Sequence, residues 1–368
     1  MRFALAICMA AVVTMLGLPA QAKTTSSPVK YTPQQGVIFN NPVGTVAAKR
    51  KAVNHIINSI NSAPRGSTIR VAVYSFADMP TANALIAAHK RGVGVKVITR
   101  TNFPAVVKMK KALGTSIMSK SFVKLCTNSC RGPANKGEMH AKYFSFTISG
   151  SARYVTMVGS VNLTGFNFTK QWNDLYTSVN DVSLFTVFSN WFEDMKYDTP
   201  RGKTFINTGT TTGYGVQMTP LGKNPDPMMT ALSTVKCPKK NPSTIRIAMH
   251  AWNESRGSTL ANRVANLSRA GCKVNVVAGK AVGPVVKKTL RAGGVRVVES
   301  SHPGVFTHQK LMMVSGKVEG KSGVTYVWTG SSNWSERAYP RDDIILKITD
   351  QKAAKSYVAG FNKVMSSY

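Results

Sequence analysis

The chain has 368 residues, of which 48 are Lys or Arg and 15 are Asp or Glu, so its formal net charge is +33. With 43% hydrophobic residues it can bury a core, which excludes a mainly disordered protein, and its length suits two medium domains better than one. The charge carries no information about the fold, but it points to an anionic partner such as nucleic acid, acidic lipid or another phosphate-bearing polymer.

Residues 1–22 have the pattern of a signal peptide. Arg2 supplies a positive start, residues 4–18 form an apolar run too short for a comfortable membrane span, and Ala20-Gln21-Ala22 has the A-x-A form that signal peptidase cuts. The sequence therefore predicts a secreted protein whose mature chain begins at Lys23. A membrane anchor is the alternative interpretation.

The rest of the chain is an internal repeat, because Ser67-Thr68-Ile69-Arg70 returns as Ser243-Thr244-Ile245-Arg246. Hydrophobic patterning predicts a strand, a helix and a strand after each copy. These elements are predicted over 69–74, 81–91 and 93–98 in the first copy and over 245–250, 260–269 and 272–277 in the second. A repeat this long is a duplicated domain and not a solenoid.

The predicted fold class is α/β, with two duplicated α/β sandwich domains whose mixed sheets are flanked by helices. Residues 199–213 are rich in Pro, Gly and Thr, a composition typical of a connector. We therefore predict domains over 23–205 and 206–368.

Four cysteines follow residue 22, namely Cys126, Cys130, Cys237 and Cys272. An even number in an oxidising compartment favours disulfides, and three pairings are possible. The pairing that is local in sequence joins Cys126 to Cys130 and Cys237 to Cys272. Metal ligation is the competing interpretation, but C-x-x-x-C without a nearby His or acidic residue is a weak zinc signal, so no metal site is predicted.

Both halves carry one polar motif, in which H-x-K is followed by G-S-x-N, 19 residues after the His in the first half and 22 in the second. One H-x-K is expected by chance in a Lys-rich chain, but two copies with this continuation are not. The residues are His140, Lys142, Ser160 and Asn162 in the first half and His308, Lys310, Ser331 and Asn333 in the second. Side chains two apart in a strand share a face, and a returning strand brings the G-S-x-N loop beside them. Pseudo-twofold packing of the halves would join both sets in one shared cleft.

These residue types suit a phosphoryl group in a transition state. Two lysines supply positive charge, while the Asn and Ser side chains supply neutral donors. One histidine can attack phosphorus, and the other can protonate the leaving oxygen and later activate water. Neither step needs a metal or another cofactor.

Acidic residues are scarce, so their placement is informative. Asp174 lies 34 residues after His140, and Asp343 lies 35 residues after His308. A nucleophilic histidine needs a partner for its second ring nitrogen. We predict that Asp174 orients His140 and Asp343 orients His308, each across its own sheet; a solvated loop carboxylate is the alternative for each.

The duplicated motif resembles that of the phospholipase D superfamily, H-x-K-x4-D-x6-G-S-x-N in each half of a pseudo-twofold monomer. The resemblance implies a phosphohistidine intermediate without a metal cofactor, with His140 as nucleophile and His308 as general acid and base. The family Asp is replaced by Thr147 in the first half and Ser315 in the second. A hydroxyl there can still make a local hydrogen bond, which fits a subfamily variation.

Three functions agree with these features. The favoured one is a secreted phospholipase D that hydrolyses the head-group phosphodiester of phospholipids to phosphatidate and an alcohol; its partner is a phospholipid or membrane surface, and it acts as a monomer. The alternative is a metal-independent nonspecific nuclease, because residues 23–137 hold 18 Lys and Arg against the single acid Asp78 and phosphate contacts dominate nucleic-acid affinity. A non-catalytic basic binding protein is the third, but it leaves the paired motifs unexplained.

Other residues carry a weaker signal. His250 ends the strand equivalent to the one that carries Tyr74 and could approach the cleft mouth, while His302 lies in a loop before the second motif that could touch a head group or simply turn. Phe166, Trp252 and Trp334 could line an entrance or pack in the core.

Overall fold

The computed structural model describes residues 31–133, 135–300 and 304–368. The signal peptide predicted over residues 1–22, the start at Lys23 and the loop residue His302 lie outside the described residues. Residues 31–368 cluster as one unit.

The first half builds a mixed sheet of seven strands. In sheet order they are β1 (Gly36–Phe39), β8 (Asp174–Ser178), β6 (Ala152–Gly159), β5 (Lys142–Ser149), β2 (Thr68–Val73), β3 (Gly94–Thr99) and β4 (Phe122–Leu125). Strands β2, β3 and β4 are parallel, and the other pairings are antiparallel. The strands predicted over 69–74 and 93–98 are confirmed as β2 and β3, each to within one residue.

Helices cover both faces of this sheet because successive strand residues point in opposite directions. The helices are α1 (Val46–Lys49), α2 (Lys51–Asn61), α3 (Met79–Lys90), α4 (Pro104–Leu113), α5 (Gly165–Lys170) and α6 (Val182–Met195). Phe144 belongs to the cluster that includes side chains of α2 to α4, while Tyr143 stacks on Phe188 of α6. Asp78 caps the start of α3, since its side chain accepts a hydrogen bond from the Thr81 backbone N–H at 3.0 Å.

The second half repeats the plan with eight strands. In sheet order they are β13 (Arg296–Glu299), β12 (Lys273–Val282), β11 (Thr244–Trp252), β15 (Lys310–Val318), β16 (Lys321–Gly330), β17 (Ile344–Ile348), β10 (Gly215–Met218) and β9 (Ile206–Gly209). Its helices are α7 (Pro227–Ser233), α8 (Glu254–Arg269), α9 (Pro284–Ala292) and α10 (Gln351–Met365), with a 3-10 turn at Glu336–Ala338. The predicted α/β class with two duplicated mixed sheets is confirmed.

Helix α8 begins six residues before the predicted start at residue 260, because Gly257 and its polar neighbours hide the helical pattern. A Cβ at Gly257 would lie 3.1 Å from the Trp252 ring and 3.2 Å from the Trp334 carbonyl oxygen. These two tryptophans are buried and meet edge to face at 4.5 Å, so they belong to the core and not to an entrance. Phe166, in contrast, is 58% exposed.

Several contacts join the two halves. Strand β7 (Gln171–Trp172) of the first half pairs in parallel with β14 (Phe306–Thr307) of the second. One buried cluster contains side chains from both halves, and within it the Tyr176 and Tyr214 hydroxyls lie 2.7 Å apart. The domain boundary near residue 205 stays a prediction.

Both cysteine pairs that are local in sequence form disulfides, Cys126 with Cys130 and Cys237 with Cys272. Among the described residues, no helix combines the length and the apolar character needed to cross a membrane.

Candidate active site

His140 lies at the junction of the two halves, directly before strand β5. Its Nδ1 is 2.8 Å from Oδ1 of Asp343, which precedes β17 in the second half. Burial alone would raise the pKa of Asp343, but His140 and Lys142 more than offset it and hold that pKa below its usual range. An ionised carboxylate only accepts, so Nδ1 of His140 carries the proton and donates. The Nε2 lone pair of His140 is therefore left for other chemistry.

Burial, followed by the charge of Lys142, lowers the pKa of His140 to about 3 although Asp343 opposes the shift. The imidazole is consequently neutral at physiological pH beside an anionic carboxylate. Asp343 is itself held by the Ser331 hydroxyl, which donates to Oδ1 at 2.5 Å. A neutral imidazole with a fixed tautomer is the form that acts as a nucleophile.

His308 occupies the matching place in the second half, and its partners come from the first. Its Nδ1 donates to the Ser160 carbonyl oxygen at 2.9 Å and to Oδ1 of Asn173 at 3.0 Å. Both are neutral acceptors. Burial, followed by Lys310, lowers the pKa of His308 well below 6.5. Each histidine is thus oriented by the opposite half of the chain, and only His140 has a carboxylate partner.

The pairing predicted from the sequence is therefore wrong for both aspartates. Asp343 orients His140, not His308. Asp174 orients neither histidine, because its carboxylate accepts hydrogen bonds from Ser160 Oγ at 3.1 Å, from Tyr357 at 3.3 Å and from Thr329. Burial raises the pKa of Asp174.

Matching backbone bonds explain the error. The Ser160 N–H donates to the carbonyl of Asp174 at 3.0 Å, as the Ser331 N–H donates to that of Ile344 at 2.9 Å. The structural equivalent of Asp343 is accordingly Asn173, one residue before Asp174. Asn173 could not be found by comparing carboxylates, because it is a neutral amide and its histidine partner lies in the other half of the chain.

Lys142 and Lys310 place two ammonium groups in the same buried region. Each donates to the carbonyl oxygen of the histidine two residues before it, His140 or His308. Burial lowers the pKa of Lys142 to about 7, and burial followed by Lys142 lowers the pKa of Lys310. An anion bound between them would relieve the repulsion and restore both charges.

The two motif asparagines are buried beside these groups, with Asn162 8% and Asn333 4% exposed. Within the described ranges, Oδ1 of neither side chain has a hydrogen-bond partner. Buried polar atoms in folded proteins are normally paired, so these amides have the character of groups that bind a ligand. Their Nδ2 groups are the donors, and together with the lysines these can surround the oxygens of a phosphoryl group.

Tyr74 and His250 are equivalent additions to the site. Their backbone N–H groups donate to the carbonyl oxygens of Ala141 and Gln309 at 3.0 and 2.9 Å, which places both beside the motif. Tyr74 directly follows β2, and His250 lies near the end of β11. The Tyr74 ring lies 5.1 Å from that of His140, and the His250 ring lies 4.8 Å from that of His308. The shared position at a strand end was the signal for both in the sequence.

The hydroxyls that replace the family Asp make local hydrogen bonds, as expected. Thr147 Oγ1 accepts from the Thr68 N–H at 2.9 Å. Ser315 Oγ accepts from Arg246 at 3.2 Å and from Thr325 at 3.1 Å. Both join neighbouring strands of a sheet and lie outside the contacts of the histidines.

In the part of the chain that the structure describes, one group of residues has the spacing of metal ligands, Cys126, Cys130 and Asp198. Its two sulfur atoms are already joined in a disulfide. The same disulfide loop contacts the candidate site, because the Cys130 and Arg131 N–H groups donate to Asp342 at 2.5 and 3.2 Å, next to Asp343. Burial raises the pKa of Asp342 to about 7.

Comparison with protein families gives a match to the model described as "Cardiolipin synthase, PLD-like domain" over residues 56–196 and 238–365. The two matched segments contain the two motifs. No curated protein matches the chain.

Solved structures share the fold at low identity. Phosphatidylserine synthase of Haemophilus influenzae matches with a TM-score of 0.60 and 12% identity, over 89% of this chain and 86% of that one. Polyphosphate kinase of Porphyromonas gingivalis matches with a TM-score of 0.57 and 13% identity, over 90% of this chain, which spans half of the kinase. Yeast tyrosyl-DNA phosphodiesterase matches with a TM-score of 0.50 and 8% identity, over 86% and 89%.

Proposed function

Because the chain belongs to the phospholipase D superfamily, we propose that it is a secreted phosphodiesterase of the phospholipase D type that works through a covalent phosphohistidine. One observation carries the proposal. Each catalytic histidine is held through Nδ1 by the opposite half of the chain, which leaves two Nε2 atoms for one phosphorus.

His140 is the nucleophile in this mechanism. Its Nε2 attacks phosphorus as the bond to the leaving oxygen breaks, and His308 gives that oxygen the proton from its own Nε2. His308 then takes a proton from water, whose oxygen attacks phosphorus and breaks the P–N bond to release His140. Asp343 stabilises the positive ring of phosphorylated His140, a role that the neutral Asn173 amide cannot fill for His308.

The substrate we propose is the head-group phosphodiester of a phospholipid, which yields phosphatidate and an alcohol. The predicted export supports it, as does the family's description as a cardiolipin synthase domain. The large net positive charge, which the mature chain keeps except for the charge of Arg2, would hold the enzyme on an anionic lipid surface, where each nearby Lys or Arg contributes about 1 kcal/mol. One chain supplies both halves of the site, so a monomer suffices.

Nucleic acid is the second candidate substrate, favoured by the excess of 18 basic residues over one acid in residues 23–137. Vesicles and plasmid DNA, offered separately to the mature protein in EDTA, distinguish the two. Head-group release that His140→Ala lacks supports the lipid enzyme, and DNA nicking alone would contradict it.

The covalent mechanism is tested with bis(p-nitrophenyl) phosphate, whose leaving group departs without an acid. His308→Ala should release one equivalent of p-nitrophenolate per active site and then stall, because its phosphohistidine is not hydrolysed. His140→Ala should release none, and His89→Ala on the outer helix α3 serves as the matched control. The reverse pattern would make His308 the nucleophile, and slow linear release from both variants would contradict a covalent intermediate.

A further inference from the structure

A cluster of aromatic and basic side chains adjoins His308 and has no part in the mechanism above. It consists of Phe166, Lys170, His250, Lys280 and Phe306 and is called the Phe306 cluster below. The His250 ring lies 4.8 Å from that of His308 and stacks on Phe306 at 5.6 Å. Phe306 also meets the exposed ring of Phe166 at 6.0 Å. The cluster therefore extends from the second histidine to the surface.

The cluster is positively charged. Lys280 and Lys170 are both exposed. Lys280 Nζ lies 5.9 Å from the Phe306 ring centroid, and Lys170 Nζ lies 3.7 Å from the position that a Cβ on Gly304 would take. A cavity of about 270 Å³ lies beside Phe306 and is lined by Lys280 and by one acid, Glu299. That carboxylate is already bound to Lys287 at 2.8 Å and to Arg291 at 2.6 Å.

The other side of the site differs. Tyr74 takes the place of His250, and the nearby Glu138 carboxylate is paired with Arg341. The two sides of the scissile phosphate thus offer different surroundings. The side of His308 is aromatic and net positive, whereas on the side of His140 a carboxylate neutralises the guanidinium that it pairs with. A substrate with two unlike substituents on phosphorus has one preferred orientation in such a site.

We propose that the Phe306 cluster is the leaving-group subsite and that it selects a phospholipid whose head-group alcohol carries a second phosphate. The inference rests on the proposed function, in which His308 protonates the leaving oxygen, so the leaving group lies on the side of His308. Lys280 and Lys170 then attract the second phosphate and repel cationic head groups such as choline. The rings of Phe306 and Phe166 cover the apolar atoms of the head group.

The test compares two lipids in phosphatidylcholine vesicles of equal surface charge. Cardiolipin has a leaving alcohol with a second phosphate, whereas phosphatidylglycerol, added in twice the amount, has a neutral one. The full-length mature enzyme should show a higher kcat/KM for cardiolipin. In Lys280→Gln the ratio of the two kcat/KM values should fall about fivefold, the effect of one lysine near a phosphate. Lys355→Gln, which removes an exposed lysine from α10, should keep the wild-type ratio.

Equal kcat/KM values on the two lipids would overturn the subsite while leaving the proposed function intact. The same conclusion would follow if the ratio of the two kcat/KM values stayed unchanged both in Lys280→Gln and in the double variant that adds Lys170→Gln. Turnover of bis(p-nitrophenyl) phosphate without turnover of either lipid would overturn the lipid substrate and the subsite together. An effect of Lys280→Gln on oligonucleotide cleavage alone would assign the cluster to nucleic acid and contradict the proposal.

Discussion

The Nδ1 atom of His140 donates a 2.8 Å hydrogen bond to the Asp343 carboxylate from the other half of the chain. At the equivalent place, His308 faces the Asn173 amide at 3.0 Å. The duplication has therefore kept the geometry of two histidines but changed the charge of one partner. In the proposed mechanism, this single difference separates the histidine that becomes phosphorylated from the one that donates its proton.

Replacing Asp343 by Asn should lower kcat/KM about 100-fold, because the phosphorylated ring of His140 loses its counter-charge while the hydrogen-bonding geometry is kept. Steady-state kinetics with bis(p-nitrophenyl) phosphate measure the loss. Asp198→Asn, at a surface pair with Lys124, is the control for the charge change. An equal loss in Asp174→Asn with wild-type activity in Asp343→Asn would contradict the crossed pairing.

Replacing Asn173 by Asp should move the pH profile. Burial lowers the pKa of His308, so its protonated form is present only below that pKa and the general acid is lost as the pH rises. For a substrate with an alkyl leaving group, wild-type kcat/KM should consequently begin to fall below pH 6.5 as the pH is raised. A carboxylate at position 173 raises the pKa of His308, so this alkaline limb of the pH profile should move to higher pH by about 1 pH unit or more.

The measurement for this variant is kcat/KM for vesicle lipid from pH 4 to 8. Asn266→Asp, an exposed site on α8, adds the same charge far from His308 and should keep the wild-type limb. A limb that stays in place in Asn173→Asp would show that His308 is not the acid.

The repeat and both motifs could be predicted from the sequence because they are local patterns. Strand β2, helix α3 and strand β3 lie within two residues of their predicted positions, and each motif lysine is the first residue of a strand, β5 or β15. The histidines lie two residues before these strands and not on the strand face that alternation predicts. The partner of each histidine could not be predicted, because His140 and Asp343 are 203 residues apart and their contact depends on how the halves pack. Equal spacing pointed to Asp174, but the equivalent residue was the neighbouring Asn173.

His55 should make the protein less stable in acid. It is buried on α2 between the Tyr31 hydroxyl at 2.6 Å and the Thr177 hydroxyl at 2.9 Å, and burial lowers its pKa from 6.5 to about 4. Between pH 6.5 and about pH 4, His55 binds a proton in the unfolded state but not in the folded state. The free energy of unfolding therefore falls as the pH drops from 6.5 to 4, by about 3 kcal/mol from this residue.

Urea denaturation at a series of pH values tests this contribution. His55→Gln should flatten the dependence by up to about 1.4 kcal/mol per pH unit, one proton's worth. Parallel curves for the wild type and the variant would show that His55 does not titrate in this way.

The two disulfides should differ in what they support. Their cysteines are 4 residues apart for Cys126–Cys130 and 35 apart for Cys237–Cys272. In the chain-entropy model, replacing each pair by Ser should lower the free energy of unfolding by about 2 and about 4 kcal/mol respectively. Activity should follow the opposite order. Two backbone N–H groups of the shorter loop donate to Asp342, beside Asp343. Cys272, in contrast, lies directly before β12, and Lys280 lies near the other end of that strand.

Denaturant midpoints and kcat/KM, measured on the same preparations at a temperature where both variants are folded, separate these effects. The Cys126→Ser, Cys130→Ser variant should lose activity while remaining the more stable of the two. The Cys237→Ser, Cys272→Ser variant should keep near wild-type kcat/KM, because no side chain that it changes contacts Asp342 or Asp343 within the described residues. A loss of activity confined to this second variant would contradict the assignment of the short loop to the support of Asp342.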